Sequence, residues 1–221
     1  MKHKTLYLGL DPSRFVLEVD HVPFIQIVPY PLQDVQAYFQ NLAPFSDVLL
    51  TSRSAVLLFV DYARKVKQKF VDKQFFVVGQ ATASLLREFA VHKIFVAQQE
   101  CSEGVCSLLQ THRPTYLFYP HAQQARDVIS TYLKTCHLPH VEFALYQTQA
   151  CVPQPLPCLQ DYERVVFTSP STVKAFFACY ASLPLELNLL AIGPVTKQAL
   201  TKALQDKGLT GQIHELKEVG L

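Results

Sequence analysis

The sequence contains no tryptophan, one methionine and only seven glycines among its 221 residues. These glycines form neither G-x-G-x-x-G nor G-x-x-x-x-G-K, the phosphate-binding sequences of dinucleotide-binding and P-loop proteins. The G-x-S-x-G turn of serine hydrolases is absent as well. The sequence therefore gives no support to a nucleotide-dependent enzyme.

Strong charge and long apolar segments are also missing. The formal net charge is +2, and no run of Lys and Arg forms a stripe for nucleic acid. No apolar run approaches the about 18–20 residues of a membrane helix, and no signal-peptide cleavage site follows the N-terminus. We therefore expect a cytoplasmic protein that binds neither nucleic acid nor membrane. The modest positive charge is compatible with a small anionic ligand.

The residues that commonly bind metals are not arranged as a metal site. The six cysteines include no C-x-x-C pair, and we expect them to be small buried residues in a reducing compartment. His137 and His140 have helical spacing, but Pro139 lies between them, which favours a surface loop. We expect neither a metal nor a cofactor.

Three segments of the first half recur in the second half in the same order. Residues 47–56 (DVLLTSRSAV) match 164–173 (RVVFTSPSTV), and 76–82 (FVVGQAT) match 190–196 (LAIGPVT). Residues 21–24 (HVPF) match 140–143 (HVEF). The offsets are 117, 114 and 119 residues. This agreement predicts a tandem duplication and two similar lobes, with the working surface in the cleft between them.

Each repeated segment has the pattern of a buried strand, a sharp turn and an amphipathic helix. Strands are predicted near 5–10, 22–28, 47–51, 74–78, 93–97, 115–119, 141–147, 164–168, 188–192 and 211–214. Helices are predicted near 33–42, 53–68, 80–90, 102–111, 122–135, 170–182 and 194–206. The alternation predicts an α/β fold with two five-stranded parallel sheets and flanking helices.

Two proline-bearing stretches, 28–31 and 148–158, read as extended linkers after the second strand of each repeat. Their positions favour an exchange between the repeats. Residues 33–147 then form one continuous lobe, and residues 1–32 join 148–221 in a discontinuous one. Two contiguous lobes remain the alternative.

Four strand-to-helix turns carry small polar residues. The unpaired N–H groups at a helix start can hold carboxylate or phosphate, although a Ser or Thr there is most often only a helix cap. The recurrence of the turns in both repeats favours a ligand with several negative groups. The candidates are Thr51, Ser52, Gly79, Thr82, Thr168, Ser169, Gly193 and Thr196.

Other candidates lie on the first two strands of each repeat. Pro120 and His121 end the strand at 115–119, in a turn before a helix carrying Arg126. Arg14 occupies the equivalent place in the first repeat, and either arginine can pair with a carboxylate or lie in solvent. Tyr146 ends its strand beside a linker, where its hydroxyl can serve as a hydrogen-bond donor or weak acid, although most strand tyrosines only pack.

In this order and spacing, the segments resemble the uroporphyrinogen-III synthase family. The matching residues are 48–52 (VLLTS), 77–82 (VVGQAT), 117–120 (LFYP), 145–148 (LYQT), 167–171 (FTSPS) and 191–200 (AIGPVTKQAL). The turn Pro120-His121-Ala122 departs from the more usual Pro-Arg-Gly type. The resemblance implies two flavodoxin-like lobes joined by a two-strand hinge.

The resemblance also implies a reaction. Linear hydroxymethylbilane loses its terminal hydroxyl, its last pyrrole ring is inverted, and the macrocycle closes to uroporphyrinogen III, without a cofactor. Such a hydro-lyase belongs to haem biosynthesis. Tyr146 is implied to assist departure of the hydroxyl, and the turn residues named above, with Pro120 and His121, are implied to bind substrate. We expect a monomer. The alternative is a non-catalytic two-lobed binding protein for an anionic metabolite or a tetrapyrrole.

Overall fold

The computed structural model describes residues 4–12 and 18–216 of the chain. The chain divides into two compact units: one takes both ends, Met1–Gln26 and Thr148–Leu221, and the other takes Ile27–Gln147. In the described ranges, no helix has the length and apolar character needed to cross a membrane. Arg14 lies outside the described residues.

The described residues contain eleven strands, seven α-helices and a short 3-10 helix at Leu159–Asp161. The strands are β1 (Thr5–Tyr7), β2 (Asp20–His21), β3 (Ile25–Pro29), β4 (Asp47–Leu50), β5 (Gln74–Val77), β6 (Ile94–Val96), β7 (Leu117–Ala122), β8 (His140–Ala150), β9 (Arg164–Phe167), β10 (Asn188–Ala191) and β11 (Gln212–Glu215). The helices are α1 (Leu32–Gln40), α2 (Arg53–Lys65), α3 (Gln80–Glu88), α4 (Ser102–His112), α5 (Val128–Thr135), α6 (Pro170–Cys179) and α7 (Pro194–Lys207).

The unit at Ile27–Gln147 is built on a six-stranded sheet in the order β3-β8-β7-β4-β5-β6. β4 pairs in parallel with β5 and β7, and β7 pairs in parallel with β8. Successive residues of β4 point to opposite faces of the sheet. Leu50 packs in a cluster with α1, α2 and α3, whereas Leu49 packs in a second cluster with α4 and α5. This sheet is therefore buried on both faces, as its apolar strands predict.

The other unit carries a five-stranded sheet in the order β11-β10-β9-β1-β2, with all four pairings parallel. Its main core cluster joins Leu6, Leu8 and Phe24 from the start of the chain to residues of β9, β10, α6 and α7. A smaller cluster of Tyr7, Val166 and Leu190 lies on the other face. Each of the two sheets thus takes strands from both repeats.

The α/β architecture with two parallel-dominated sheets is confirmed. One of the two sheets has the predicted five strands, and the other has six. The predicted strand 22–28 is two strands, because the chain changes sheet there. Val22 and Phe24 still donate their backbone N–H groups to the carbonyls of Tyr7 and Leu8, at 3.0 and 3.1 Å. The following β3 then joins the six-stranded sheet. The predicted linkers are correspondingly shorter, since Val28 and Pro29 belong to β3 and β8 continues to Ala150.

The predicted helix at 122–135 begins later, at Val128, because β7 runs on through Pro120 and His121 to Ala122. A proline is tolerated in this central strand because β7 pairs with β4 only at Leu117 and Phe118. Arg126 therefore lies in the connection before α5, and the predictions of a turn at Pro120-His121 and of a helix around Arg126 were wrong.

Candidate functional site

In the six-stranded sheet, most candidates follow the carboxyl ends of parallel strands. Thr51 and Ser52 follow β4, Gly79 follows β5 and begins α3, and Pro120 and His121 lie in the last part of β7. The carboxyl ends of parallel strands meet at one edge of a sheet, where ligands of α/β proteins commonly bind. The candidates from the first repeat and the end of β7 are thus brought to one edge.

Tyr146 reaches this edge through a β-bulge. His121 pairs with Ala144, but the next residue, Ala122, pairs with Tyr146, so Leu145 is an extra residue in β8. Successive residues of a regular strand face opposite sides, whereas Leu145 and Tyr146 both pack in the cluster that contains α2. A bulge can re-aim a side chain in this way. It directs Tyr146 toward the start of α2.

The Tyr146 hydroxyl lies 2.8 Å from Ser52 Oγ, and either atom can be the donor. Ser52 is the N-cap of α2, and its Oγ accepts a hydrogen bond from the Ala55 backbone N–H at 3.0 Å. Tyr146 is only 5% exposed. Burial raises the pKa of Tyr146, and the hydrogen bond to Ser52 opposes that rise. The phenol is therefore held protonated with a fixed orientation.

Thr82 and Thr196 occupy matching places in the first turns of α3 and α7, and both are 3% exposed. The Thr82 backbone N–H donates to the carbonyl of Gly79 at 3.1 Å. Both side chains are thus packed in the first turns of their helices. Thr51, which follows β4, is half-buried.

Glu100 was not among the residues predicted from the sequence, yet its carboxylate lies at the start of α3. Its Oε1 accepts a hydrogen bond from the Gln80 backbone N–H at 3.1 Å. A Cβ at Gly79 would clash with the same oxygen, so the glycine permits this close approach. The only signal in the sequence is a carboxylate shortly after β6, the strand beside β5.

His121 and Arg126 are both engaged in local contacts. His121 Nδ1 lies 2.8 Å from the carbonyl oxygen of Ala122. The Arg126 guanidinium donates two hydrogen bonds to the Glu103 carboxylate, at 2.9 and 3.0 Å. Arg126 lowers the pKa of Glu103 to about 2. This bidentate pair occupies the Arg126 side chain that was considered for a ligand carboxylate.

In the five-stranded sheet, the second pair of turns forms helix N-termini of the same kind. Ser169 caps α6 in a capping box, in which its Oγ accepts from the Thr172 backbone N–H at 3.3 Å. Thr168 donates its own backbone N–H to Thr172 Oγ1 at 3.2 Å. Gly193 is the N-cap of α7, and among the described residues no atom beyond its chain neighbours and its own helix backbone lies within 4 Å of the position where its Cβ would be. The start of α7 is therefore open at Gly193.

None of the six cysteines is buried, so the expectation of buried cysteines was wrong. Cys136 and Cys158 are exposed and the others are half-buried. Cys101 is only half-buried because it is the N-cap of α4. Its Sγ accepts a hydrogen bond from the Gly104 backbone N–H at 3.4 Å. Within the part of the chain that the structure describes, no cluster of three or more His, Cys, Asp or Glu can hold a metal ion.

With this geometry in place, the comparisons with known proteins identify the family. The family model described as uroporphyrinogen-III synthase HemD matches residues 13–208. The chain belongs to the uroporphyrinogen-III synthase family. The resemblance inferred from the repeated segments is confirmed.

Individual relatives of the uroporphyrinogen-III synthase family agree with this assignment. A curated protein of Ruminiclostridium josui, named porphyrin biosynthesis protein HemD, is 24% identical over 238 residues. The match covers 98% of this chain but 45% of that protein, so the chain spans less than half the length of this relative.

Two solved structures share the fold. Uroporphyrinogen-III synthetase from Helicobacter pylori is 16% identical with a TM-score of 0.67, covering 96% of this chain and 92% of that one. A mutant uroporphyrinogen III synthase from Thermus thermophilus is 14% identical with a TM-score of 0.64, covering 99% of this chain and 94% of that one. At these identities, the likeness shows the α/β fold of the family.

Proposed function

We propose that the protein is a uroporphyrinogen-III synthase, a hydro-lyase that converts linear hydroxymethylbilane to uroporphyrinogen III and water. Membership of the uroporphyrinogen-III synthase family over residues 13–208 is the observation that carries the proposal. The contact between Tyr146 and Ser52 supports it by supplying a buried, protonated hydroxyl at the edge of the sheet.

The helix N-termini suit a substrate that bears several carboxylates. Each of four helices is preceded by a small N-cap residue, at a place where backbone N–H groups and the helix dipole favour negative charge; these residues are Ser52, Gly79, Ser169 and Gly193. Together with Thr51, Thr82, Pro120, His121, Thr168 and Thr196, these residues are proposed to bind and position the bilane.

Glu100 modifies this proposal at the start of α3. Its carboxylate accepts from the Gln80 N–H, one of the amides that a substrate carboxylate would use. A second carboxylate at the same place would be repelled. The substrate is therefore proposed to use the starts of α2, α6 and α7 for its carboxylates.

Tyr146 is proposed to assist the bond cleavage that starts the reaction. The electron-rich pyrrole expels the terminal hydroxyl, the C–O bond breaks, and the oxygen takes up a proton and leaves as water. Ser52 Oγ accepts from Ala55 and has its own proton available for the Tyr146 oxygen. This arrangement leaves the phenolic proton free to face the departing hydroxyl. The other contributions are positioning and protection of the reactive azafulvene from water.

Product analysis tests the proposal directly. The purified protein is supplied with freshly generated hydroxymethylbilane, and the oxidised porphyrin isomers are separated and quantified, with a protein-free sample alongside. We expect type III porphyrin to dominate, and only type I in the protein-free sample. Type I porphyrin alone in both samples would contradict the proposal. Tight tetrapyrrole binding in that case would support the non-catalytic binding protein instead.

A further inference from the structure

In the five-stranded sheet, the segment that follows β1 is held by the side chains of His21 and Tyr7. His21 ends β2, and its Nε2 lies 2.8 Å from the carbonyl oxygen of Gly9. Because a carbonyl oxygen can only accept, Nε2 carries the proton and donates. The Tyr7 hydroxyl donates to the carbonyl of Asp11 at 2.8 Å, and the rings of Tyr7 and His21 meet edge to face with their centroids 5.8 Å apart. The two side chains therefore act together on residues 9–11.

The second repeat holds its equivalent segment by strand pairing. His140 takes the place of His21 there, and its strand β8 stays paired with β7 to the end of β7. In the first repeat, the carbonyls of Tyr7 and Leu8 still accept from backbone N–H groups of the chain that follows β2. The next carbonyl, that of Gly9, accepts from the His21 side chain. A side-chain hydrogen bond thus continues the support where the backbone pairing of β1 stops.

The segment that His21 holds lies directly against a residue that is proposed to bind substrate. Thr168 follows β9, the strand beside β1. A Cβ at Gly9 would clash with both Cγ2 and Oγ1 of Thr168, so the glycine lets the Thr168 side chain pack on this backbone. The Thr168 backbone N–H donates to Thr172 Oγ1 in the first turn of α6, at 3.2 Å. The position of Gly9 therefore bears on the start of α6 through Thr168.

We propose that His21 is a positioning residue for substrate binding at the start of α6. Its hydrogen bond to the Gly9 carbonyl fixes the backbone on which Thr168 packs, and so sets the place of the Thr168 hydroxyl. Thr168 is proposed to hold the bilane rather than to take part in bond cleavage, so His21 should affect KM more than kcat. This inference rests on the proposed synthase activity and adds a residue to it.

The test is a set of substitutions measured by steady-state kinetics with hydroxymethylbilane. His21→Phe keeps a ring beside Tyr7 but has no donor. We expect it to raise KM about fivefold with little change in kcat, because one hydrogen bond that supports binding throughout the reaction is lost. His21→Gln, whose amide nitrogen can take the place of Nε2, should restore most of the affinity. His140→Phe is the matched control and should leave KM unchanged, since His140 Nδ1 makes a local contact with the carbonyl oxygen of Leu138 at 2.7 Å.

A double-mutant cycle with Thr168→Val separates positioning from a general loss of structure. Valine keeps the shape that packs on Gly9 but lacks the hydroxyl. If His21 acts through that hydroxyl, His21→Phe should cause no further rise of KM in the Thr168→Val background. An equal rise of KM in both backgrounds, or an unchanged KM in the single variant, would overturn the inference. If His21→Phe does not fold, His21→Leu takes its place in the cycle. Absence of type III product with the wild-type protein would instead refute the synthase activity itself.

Discussion

At the scale of single residues, burial and the contact with Ser52 together determine the protonation and the orientation of the Tyr146 hydroxyl. Burial disfavours the phenolate, and the contact with Ser52 fixes the direction of the hydroxyl. A group of this kind suits hydrogen-bond donation to a leaving hydroxyl better than proton abstraction, because it remains protonated at neutral pH. Its role can be tested separately from its packing.

We expect Tyr146→Phe to lower kcat about 100-fold, the lower end of the range for general acid assistance, because the pyrrole itself supplies most of the driving force. Binding of the product should weaken much less. Steady-state rates and product titration measure the two effects. Tyr62→Phe is the matched control, since Tyr62 packs in the same cluster and its hydroxyl donates to the carbonyl of Tyr30 at 2.5 Å. Equal losses in both variants would remove Tyr146 from the mechanism.

The raised pKa of Tyr146 also predicts a loss of stability in alkali. The folded protein binds this phenolic proton more tightly than the unfolded chain, whose tyrosine has a pKa of 10.0. The stabilising contribution is therefore complete below about pH 10 and is lost as pH rises through the folded pKa. The free energy of unfolding, measured in urea between about pH 8 and pH 11, should fall less for Tyr146→Phe than for the wild type.

Tyr38→Phe provides the control for this measurement, because Tyr38 is 40% exposed. The free energy of unfolding of Tyr38→Phe should fall with rising pH as much as that of the wild type does. Identical declines for wild type and Tyr146→Phe would show that burial of this phenol does not contribute to alkaline unfolding.

The sequence predicted Tyr146, Thr51 and Ser52 as site residues but not the contacts among them. The Tyr146–Ser52 contact depends on the extra residue Leu145 in β8, and nothing in the local pattern distinguishes a bulge from a regular strand. Contacts such as those of Glu100 with α3 depend on which strands are neighbours in the sheet. That information is tertiary, so periodicity and spacing do not contain it.

At the scale of secondary structure elements, the N-terminal ends of the helices contribute to the stability of the fold and are also proposed to bind substrate carboxylates. Ser169 satisfies the Thr172 N–H as part of the capping box of α6. The same helix start is proposed to hold a substrate carboxylate. A substitution that preserves the cap but changes the charge distinguishes the two roles.

We expect Ser169→Asp to retain the melting temperature of the wild type, because Asp is as good an N-cap as Ser and its charge suits the helix dipole. The same negative charge should repel a substrate carboxylate and raise KM about fivefold or more. Thermal unfolding and steady-state kinetics give the two readouts. Ser169→Ala is the complementary variant and should lower the free energy of unfolding by about 1 kcal/mol. An unchanged KM in Ser169→Asp would argue against carboxylate binding at α6.

The elements with strong periodicity were predicted within a few residues, and the errors have physical causes. The helices α2, α4, α6 and α7 begin at the predicted residues, where Ser52, Cys101, Ser169 and Gly193 precede them. The helix α5 begins later than predicted because β7 continues past residue 119, through Pro120 and His121, to Ala122. Proline is usually excluded from central strands, and its acceptance here depends on where the ladder with β4 stops.

At the scale of the whole molecule, the two units differ in which parts of the chain contribute their core residues. In the part of the chain that the structure describes, both large clusters of the six-stranded sheet consist of residues between Ile27 and Gln147. The main cluster of the other unit needs Leu6, Leu8 and Phe24 from the start of the chain as well as residues after 148. In that unit, β1 lies between β9 and β2, so the ends of the chain complete one sheet together.

This difference leads us to propose one continuous and one discontinuous folding unit, with the boundary in the first repeat near Gln26 rather than at residue 32. A fragment of residues 27–147 should unfold cooperatively in urea, because its buried clusters are complete. A fragment of residues 148–221 should not, because it lacks β1 and the apolar side chains that β1 contributes. Circular dichroism and backbone amide NMR spectra measure both outcomes.

A permuted fragment is the matched control for the second outcome. Residues 148–221 followed by a flexible linker and residues 1–26 restore β1 beside β9, and β2 beside β1, without any part of the other unit. This protein should recover a dispersed amide spectrum and a cooperative transition, since the missing piece is apolar surface and one central strand rather than the order of the chain. Cooperative folding of residues 148–221 alone would show that β1 is dispensable, and failure of the permuted fragment would show that the unit requires residues 27–147. Either result would refute the division near Gln26 and Thr148 as one between independent folding units.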